Sequence, residues 1–463
     1  MVNKVHKMNQ HVVKVEKAGE KERKATSKGG IGLAHSVAQR MRLWSDVKKD
    51  VPERKDPTQG YETVSVVASE VYGLLTGGRG FSATEPMRKD TPLLEILGLD
   101  RAPSSETVEG VVKYLALESE GMKGLRTTIS RFVNRGISLG KRSEIRCARG
   151  FVPLWVDGSL LEVYGKRFDA IKAKKGQRGQ MCVGAFVGPW LTGIDFAQEG
   201  EGEETVGRRL LTEAIDDVVR PNKLLKEVLI LMDSLYGDGP TFDQIEGIRG
   251  KPRYIVGVQG LREAERVMTD MAPISWRETG ADASRNWIES SVGMVWLQCT
   301  TWKKKRLMVC RRWKEEGDMF WHYAGVATNL TEQDRRIRDL MGRSGKSFEE
   351  IIWMLYSYKQ GMENQWKDLL NDMQLHNPSC AKAAVNAVLY AIAGIAYNLA
   401  VAVRRLALEG TSRVMRLWRL RREVFDLPGY VVAHSRYIIL RVLDARDHLV
   451  DQMVRAMGRV LLL

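Results

Sequence analysis

Two aspartates stand where apolar runs break off. Phe151-Val152-Pro153-Leu154-Trp155-Val156 stops at Asp157, and Val228-Leu229-Ile230-Leu231-Met232 stops at Asp233. A short continuous apolar run reads as a strand buried on both faces. A carboxylate at the C-terminal edge of such a strand lies in the crevice where α/β sheets place their sites. A third acid comes from residues 350–370, EIIWMLYSYKQGMENQWKDLL, which read as a helix interrupted only by Gly361. Tyr356, Lys359, Glu363 and Lys367 recur there at i, i+3, i+7 and i+11. At about 100° per residue they fall within an arc of about 80°. A hydroxyl, two ammonium groups and a carboxylate then project along one line, although an ordinary helix surface with a Glu363–Lys367 pair has the same spacing. Carboxylates without Cys or His are donors for hard cations such as Mg²⁺ or Mn²⁺. Two such ions ~4 Å apart can activate an attacking oxygen and stabilise a leaving one at a phosphodiester.

The rest of the composition suits that substrate. The chain has 463 residues, a net charge of +15 and a pI near 9.5, an excess that fits a long polyanion better than a small anionic metabolite. With 44% hydrophobic and 28% charged residues it can bury a core and is not disordered overall. Cys147, Cys182, Cys299, Cys310 and Cys380 are scattered and never form C-x-x-C, which excludes a disulfide framework and a zinc ribbon. The N-terminus has no apolar h-region, so a cytosolic, reducing compartment is expected. Residues 383–403 carry no charge and are long enough to span a bilayer. Their alanine content, Asn386 and Asn398 point instead to a helix buried in a core, and no membrane partner is expected.

Six segments position these residues. Residues 1–30 read as a basic, mobile arm. Residues 31–148 read as several short helices, with Ser104 or Ser105 as one N-cap, and suit a helical DNA-binding domain or a plain helical bundle. Residues 149–265 alternate strands and helices as an α/β sheet of mixed direction. Residues 266–330 form a β-rich insertion in which Trp276, Trp287, Trp296, Trp302, Trp313 and Trp321 alternate with Lys and Arg. Residues 331–405 return to helices, and 406–463 form a basic C-terminal region. Several other acids have plainer readings. Asp238 caps a turn or helix, Glu162 lies on the surface, and Asp368 and Asp372 are solvated; His322 is a strand residue.

The segment Tyr356-x2-Lys359-x3-Glu363 resembles the Y-x2-R-x3-E-x6-K signature of bacterial insertion-sequence transposases of the DDE type. Lys359 stands in place of the Arg, Leu370 occupies the final Lys position, and Lys367 comes three residues earlier. LWVDGSLLEVYGK is similar to that family's first-Asp strand and LILMDSLYGDGPTFDQIE to its second-Asp segment. YAGVATNL is similar to its strand before the last helices, and ENQWKDLLNDMQLH to its Glu helix. The likeness covers about 150–410 well and 31–148 loosely.

The resemblance implies a ribonuclease-H-like catalytic core with the β-rich insertion between its fifth strand and the Glu helix. Asp157 would lie on the first strand, Asp233 just after the fourth and Glu363 on the helix. The three would be catalytic and would hold two Mg²⁺ or Mn²⁺ ions. Water attacks first and gives a 3′-OH at the element end, which then attacks target DNA. Lys359 and Lys367 would hold backbone phosphates, and Tyr356 would bond a phosphate or pack. Trp296, Trp302 and Trp321 are candidate platforms for an extruded base, or strand core. The expected partners are double-stranded DNA, as element ends and target, and a second copy in the DNA complex, at the bacterial nucleoid. The alternative is a non-catalytic DNA-binding regulator derived from a transposase.

Overall fold

The computed structural model describes residues 12–17, 25–54, 60–141, 145–146, 150–164, 167–169, 171–172, 177–258, 260, 262–433, 437–443 and 447–463. Cys147 and much of the basic arm lie outside them. The central feature is a ten-stranded sheet built on β3 (Val152–Glu162), β4 (Ile171–Lys172), β5 (Arg178–Val187), β6 (Trp190–Phe196), β7 (Val228–Met232) and β8 (Arg253–Gly257). β6 and β5 form a hairpin, β5 runs antiparallel to β3, and β3, β7 and β8 are mutually parallel. The continuous apolar runs of β7 and β8 follow from this, since both lie inside the sheet with neighbours on either side.

The insertion does not stand apart. Its strands β9 (Arg277–Glu278), β10 (Trp287–Leu297), β11 (Arg306–Glu315) and β12 (His322–Thr328) continue the same sheet, because β12 pairs antiparallel with β8. Much of its basic charge is matched internally. Lys303 lies 2.7 Å from Asp243, and Arg306 and Lys304 lie 2.9 and 3.0 Å from Glu246.

The helices between residues 31 and 139 share one apolar core with the sheet. Thr63–Leu75, Ser105–Leu117 and Ser119–Leu139 pack on the helix Ala383–Ala402, which in turn lies on β6. Ser104 caps its helix through the Thr107 amide. Ala383–Ala407 is long and apolar enough to cross a membrane, and 94% of its most apolar window is buried inside the protein. Its two asparagines bond the sheet: Asn398 bridges the backbone of Leu191 at 3.0 and 2.8 Å, and Asn386 donates to Gln180 at 2.6 Å.

The two ends of the chain form a second sheet. β1 (Val12–Lys17), β14 (Tyr437–Val442), β13 (Gly429–Ala433) and β2 (Ala25–Thr26) lie in that order, with β1 parallel to β14. Within residues 1–30, the described segments Val12–Lys17 and Ala25–Thr26 are thus paired strands rather than a free arm. The tail is also tied down by acids expected to be solvated. Asp368 is buried and pairs with Arg404 at 2.9 Å and with Arg416, while Asp372 takes Arg416 at 3.0 Å.

Candidate active site

The register of the parallel strands brings the two aspartates together. Trp155 of β3 is level with Leu231 of β7, so two residues further along each strand Asp157 comes beside Asp233. One strand spacing is about 4.8 Å. β3 does not end at Asp157, as the apolar run suggested. It continues to Glu162 and pairs Asp157 with Gly184 of β5, while β7 stops at Met232. Asp233 then caps a tight turn, accepting from the Leu235 amide at 2.9 Å. Burial pushes the Asp157 carboxyl up, the Lys359 ammonium opposes that, and Asp233 adds to it. Lys359 Nζ stands 3.1 Å from Asp157 Oδ2 with both side chains about four-fifths buried.

The third acid arrives on a broken helix. Phe348–Tyr356 is α-helical and starts with a Ser347–Glu350 capping box. Ser357–Lys359 tightens to a 3-10 turn, Gln360–Trp366 is α-helical again, and Lys367–Asp372 widens to a π turn. The 3-10 turn advances about 120° per residue, so Lys359 lies directly over Tyr356 and Glu363 about 40° away. Asp157, Tyr356, Lys359 and Glu363 therefore line one cavity of about 270 Å³, together with Arg285 and Arg311. By the same count Lys367 is rotated about 80° from the Tyr356–Lys359 line. It is exposed and not part of the cavity wall, so of the four residues expected on one face only Tyr356, Lys359 and Glu363 meet at the cavity. Tyr356 is fixed from below: its hydroxyl donates to Met232 O at 3.4 Å and its ring meets Trp353 edge-on.

One acid near the pair escaped the sequence reading. Glu203 opens the helix Glu203–Ala214 that follows β6. Its carboxyl occupies the space beside Gly158, where a Cβ would come within 2.4 Å of Glu203 Cδ. The Tyr236 hydroxyl lies 3.3 Å from Glu203 Oε1. Burial, then Asp233, then Asp157 push this carboxyl from 4.5 up to about 7. In the sequence Glu203 sits in the acidic run Glu199–Glu204, which reads as a solvated helix start. The available signal was Gly158, a residue without a side chain directly after a candidate ligand.

The donor set is carboxylate only, which fits hard divalent cations. Among the described residues, no three Asp, Glu, His or Cys groups stand close enough to share one ion. The positive charge at Asp157 is supplied by Lys359.

The expected aromatic platforms are placed elsewhere. Trp302 is buried, donates to Gly237 O at 3.1 Å and packs on Phe242, so it is core. Trp296 is exposed on β10 and does not line the cavity. Trp321 carries Arg312 and Lys314 over its ring at 4.4 and 5.2 Å. The tryptophans at the cavity are instead Trp353 and, in the adjoining hollow, Trp287. The plainer readings of Asp238, Glu162 and His322 match the structure: Asp238 caps a helix at the Thr241 amide, Glu162 is exposed, and His322 lies on β12.

The family described as "Transposase DDE domain group 1" matches residues 203–459, more than half of the 463-residue chain. The protein belongs to this family of transposase DDE domains. Asp233 and Glu363 lie inside the matched region, and Asp157 lies before it. Among solved structures, the chain is similar to "Cryo-EM structure of piggyBac transposase synaptic complex with hairpin DNA (SNHP)" at 12% identity and a TM-score of 0.41, covering 86% of this chain and 80% of that one. No curated protein matches the sequence significantly.

Proposed function

We propose that the protein is a DNA transposase that binds the terminal inverted repeats of its element, cleaves the ends and joins the 3′-OH to target DNA. The observation that carries this reading is the register that sets Asp157 beside Asp233, in a transposase DDE-domain chain whose Glu363 faces the same cavity as Asp157. The order along the chain also supports it: with the two-residue β4 set aside, Asp157 lies on the first core strand, Asp233 after the fourth (β7) and Glu363 on a helix after the fifth (β8), as in a ribonuclease-H-like core. Asp157, Asp233 and Glu363 would hold two Mg²⁺ or Mn²⁺ ions. When bound, such ions activate the attacking oxygen and stabilise the leaving one. Asp157 and Asp233, held side by side by their strands, would anchor these ions where the scissile phosphate sits. Lys359 moves from Asp157 to a backbone phosphate oxygen, within reach of the same cavity. Tyr356 holds the end of β7 in place through Met232. The working form would be a homodimer on DNA at the bacterial nucleoid.

The test is incubation of purified protein with DNA flanking its coding sequence and Mg²⁺, with nicks mapped. Asp157→Asn, Asp233→Asn and Glu363→Gln should keep DNA binding and lose nicking and strand transfer by several orders of magnitude. A Glu363→Gln protein that nicks at the wild-type rate would refute the third carboxylate. The Lys359–Asp157 ion pair favours a second reading, a DNA-binding regulator without catalysis, for which the wild-type protein would bind and never nick.

A further inference from the structure

The cavity that holds Asp157 has a cationic wall whose two guanidinium groups are only loosely matched by carboxylates among the described residues. Arg311 projects from β11 and its guanidinium lies between two indoles, 4.6 Å over Trp353 and 5.3 Å over Trp287. Arg285 covers the Trp287 ring at 4.8 Å. Trp287 in turn stacks on Trp313 at 5.1 Å, and Trp313 on His322 at 5.4 Å. Arg285 has a loose pair with Asp282 at 3.6 Å, and among the described residues no carboxylate forms an ion pair with Arg311. Both arginines line the cavity of Asp157 and Glu363 and also the adjoining hollow of about 360 Å³.

Two like charges held close together on aromatic faces repel, and Asp282 and Glu350 offset this only in part for Arg311, so a further anion would relieve the excess. The arginine fork matches phosphate oxygens in geometry and charge. We propose that Arg285 and Arg311 form a receptor for one DNA backbone phosphate, a neighbour of the scissile phosphate on the same strand. The indoles serve to hold the guanidinium groups rather than to stack a base. This rests on the transposase reading, because it takes the carboxylate cavity as the place where the strand is cut.

The inference is separable from catalysis by measuring binding alone. Full-length protein is titrated against a double-stranded oligonucleotide of the flanking sequence in EDTA, by fluorescence anisotropy, across a series of salt concentrations. Each phosphate contact contributes about 0.9 to the slope of log K against log salt. Arg311→Gln and the exposed Arg285→Gln should each lower that slope, and the double variant should lower it by about 0.9 in total, because one phosphate is shared. Arg311→Lys, which keeps the charge, should restore most of it. Lys303→Gln, whose ammonium already pairs with Asp243, should leave the slope unchanged. A double variant with the wild-type slope would overturn the receptor while leaving the transposase reading intact. Absence of any DNA binding by the wild-type protein would overturn both. Loss in the Trp287→Ala variant of binding to an unpaired base, with the arginine variants unaffected, would also overturn it in favour of stacking.

Discussion

Glu203 offers the sharpest measurement, because its cost can be worked from its surroundings. It is mostly buried, carries no cationic partner among its strongest influences, and faces Asp233 and Asp157. A carboxyl whose pKa is higher in the folded chain binds its proton more tightly there. The stability it contributes is complete below about pH 4.5 and is lost as pH rises through about 7. The gap of roughly 2.5 units corresponds to ~3.4 kcal/mol at pH 8.5, at 1.36 kcal/mol per unit. Glu203→Gln removes the ionisable group and keeps an acceptor for the Tyr236 hydroxyl. Unfolding entropy for a chain of this length is roughly 1 kcal/mol/K, so the metal-free variant should melt about 3 °C above wild type at pH 8.5. At pH 4.5 the two should coincide. Calorimetry in EDTA at both pH values reads this directly, and Mn²⁺ at pH 8.5 should raise wild type more than the variant. A Glu203→Gln protein that melts at or below the wild-type temperature at pH 8.5 would show that the carboxyl is not held beside the aspartate pair.

Two further outcomes follow from ion pairs. Lys359→Met removes the ammonium that competes for Asp157, so Mn²⁺ titrated calorimetrically should bind roughly ten-fold tighter, equivalent to ~1.4 kcal/mol, while DNA affinity in EDTA falls; unchanged Mn²⁺ affinity would mean that the ammonium does not stand at a cation position. Asp368→Asn leaves the buried Arg404 without its countercharge and should cost ~3–5 kcal/mol in denaturant unfolding; a loss under 1 kcal/mol would contradict the tie between the Glu363 segment and the tail.

What could be read from sequence divides along a physical line. β7 and β8 announce themselves because interior parallel strands are apolar on both faces, and the acid that ends such a run is visible with it. Asp157 and Asp233 were legible for that reason. Pairings between distant segments leave no local mark: β1 lies beside β14 across more than 400 residues, and β12 joins β8 across the whole insertion. The Trp and Lys/Arg pattern of the insertion looked like a DNA surface, yet Trp302 and Arg306 are internal, since a guanidinium on an indole and a carboxylate is as well satisfied inside a protein as on a phosphate. The segment 350–370 shows a subtler limit. Periodicity assigns it one helix, and only departures from 3.6 residues per turn decide which side chains meet Asp157.

Those departures carry the logic of the site. An unbroken α-helix would set Lys359 about 60° away from Tyr356. The 3-10 turn at Ser357–Lys359 brings the ammonium over the tyrosine and onto Asp157, and the return to α geometry places Glu363 on the same cavity. The extra rotation of the 3-10 turn also carries Lys367 away from the cavity, and in the π turn that follows Asp368 is buried on Arg404 and Arg416. One side of the segment is thereby committed to the carboxylate pair and the other to holding the tail. Two adjacent aspartates, with Glu203 close by, cannot all remain charged and unneutralised in a half-buried cleft. Lys359 supplies part of the positive charge while no divalent ion is present, and its side chain is long enough to leave Asp157 without moving the backbone. On the proposed transposase reading, cation entry and release of this ammonium toward a DNA phosphate would be one exchange, linking metal binding to strand binding at a single residue.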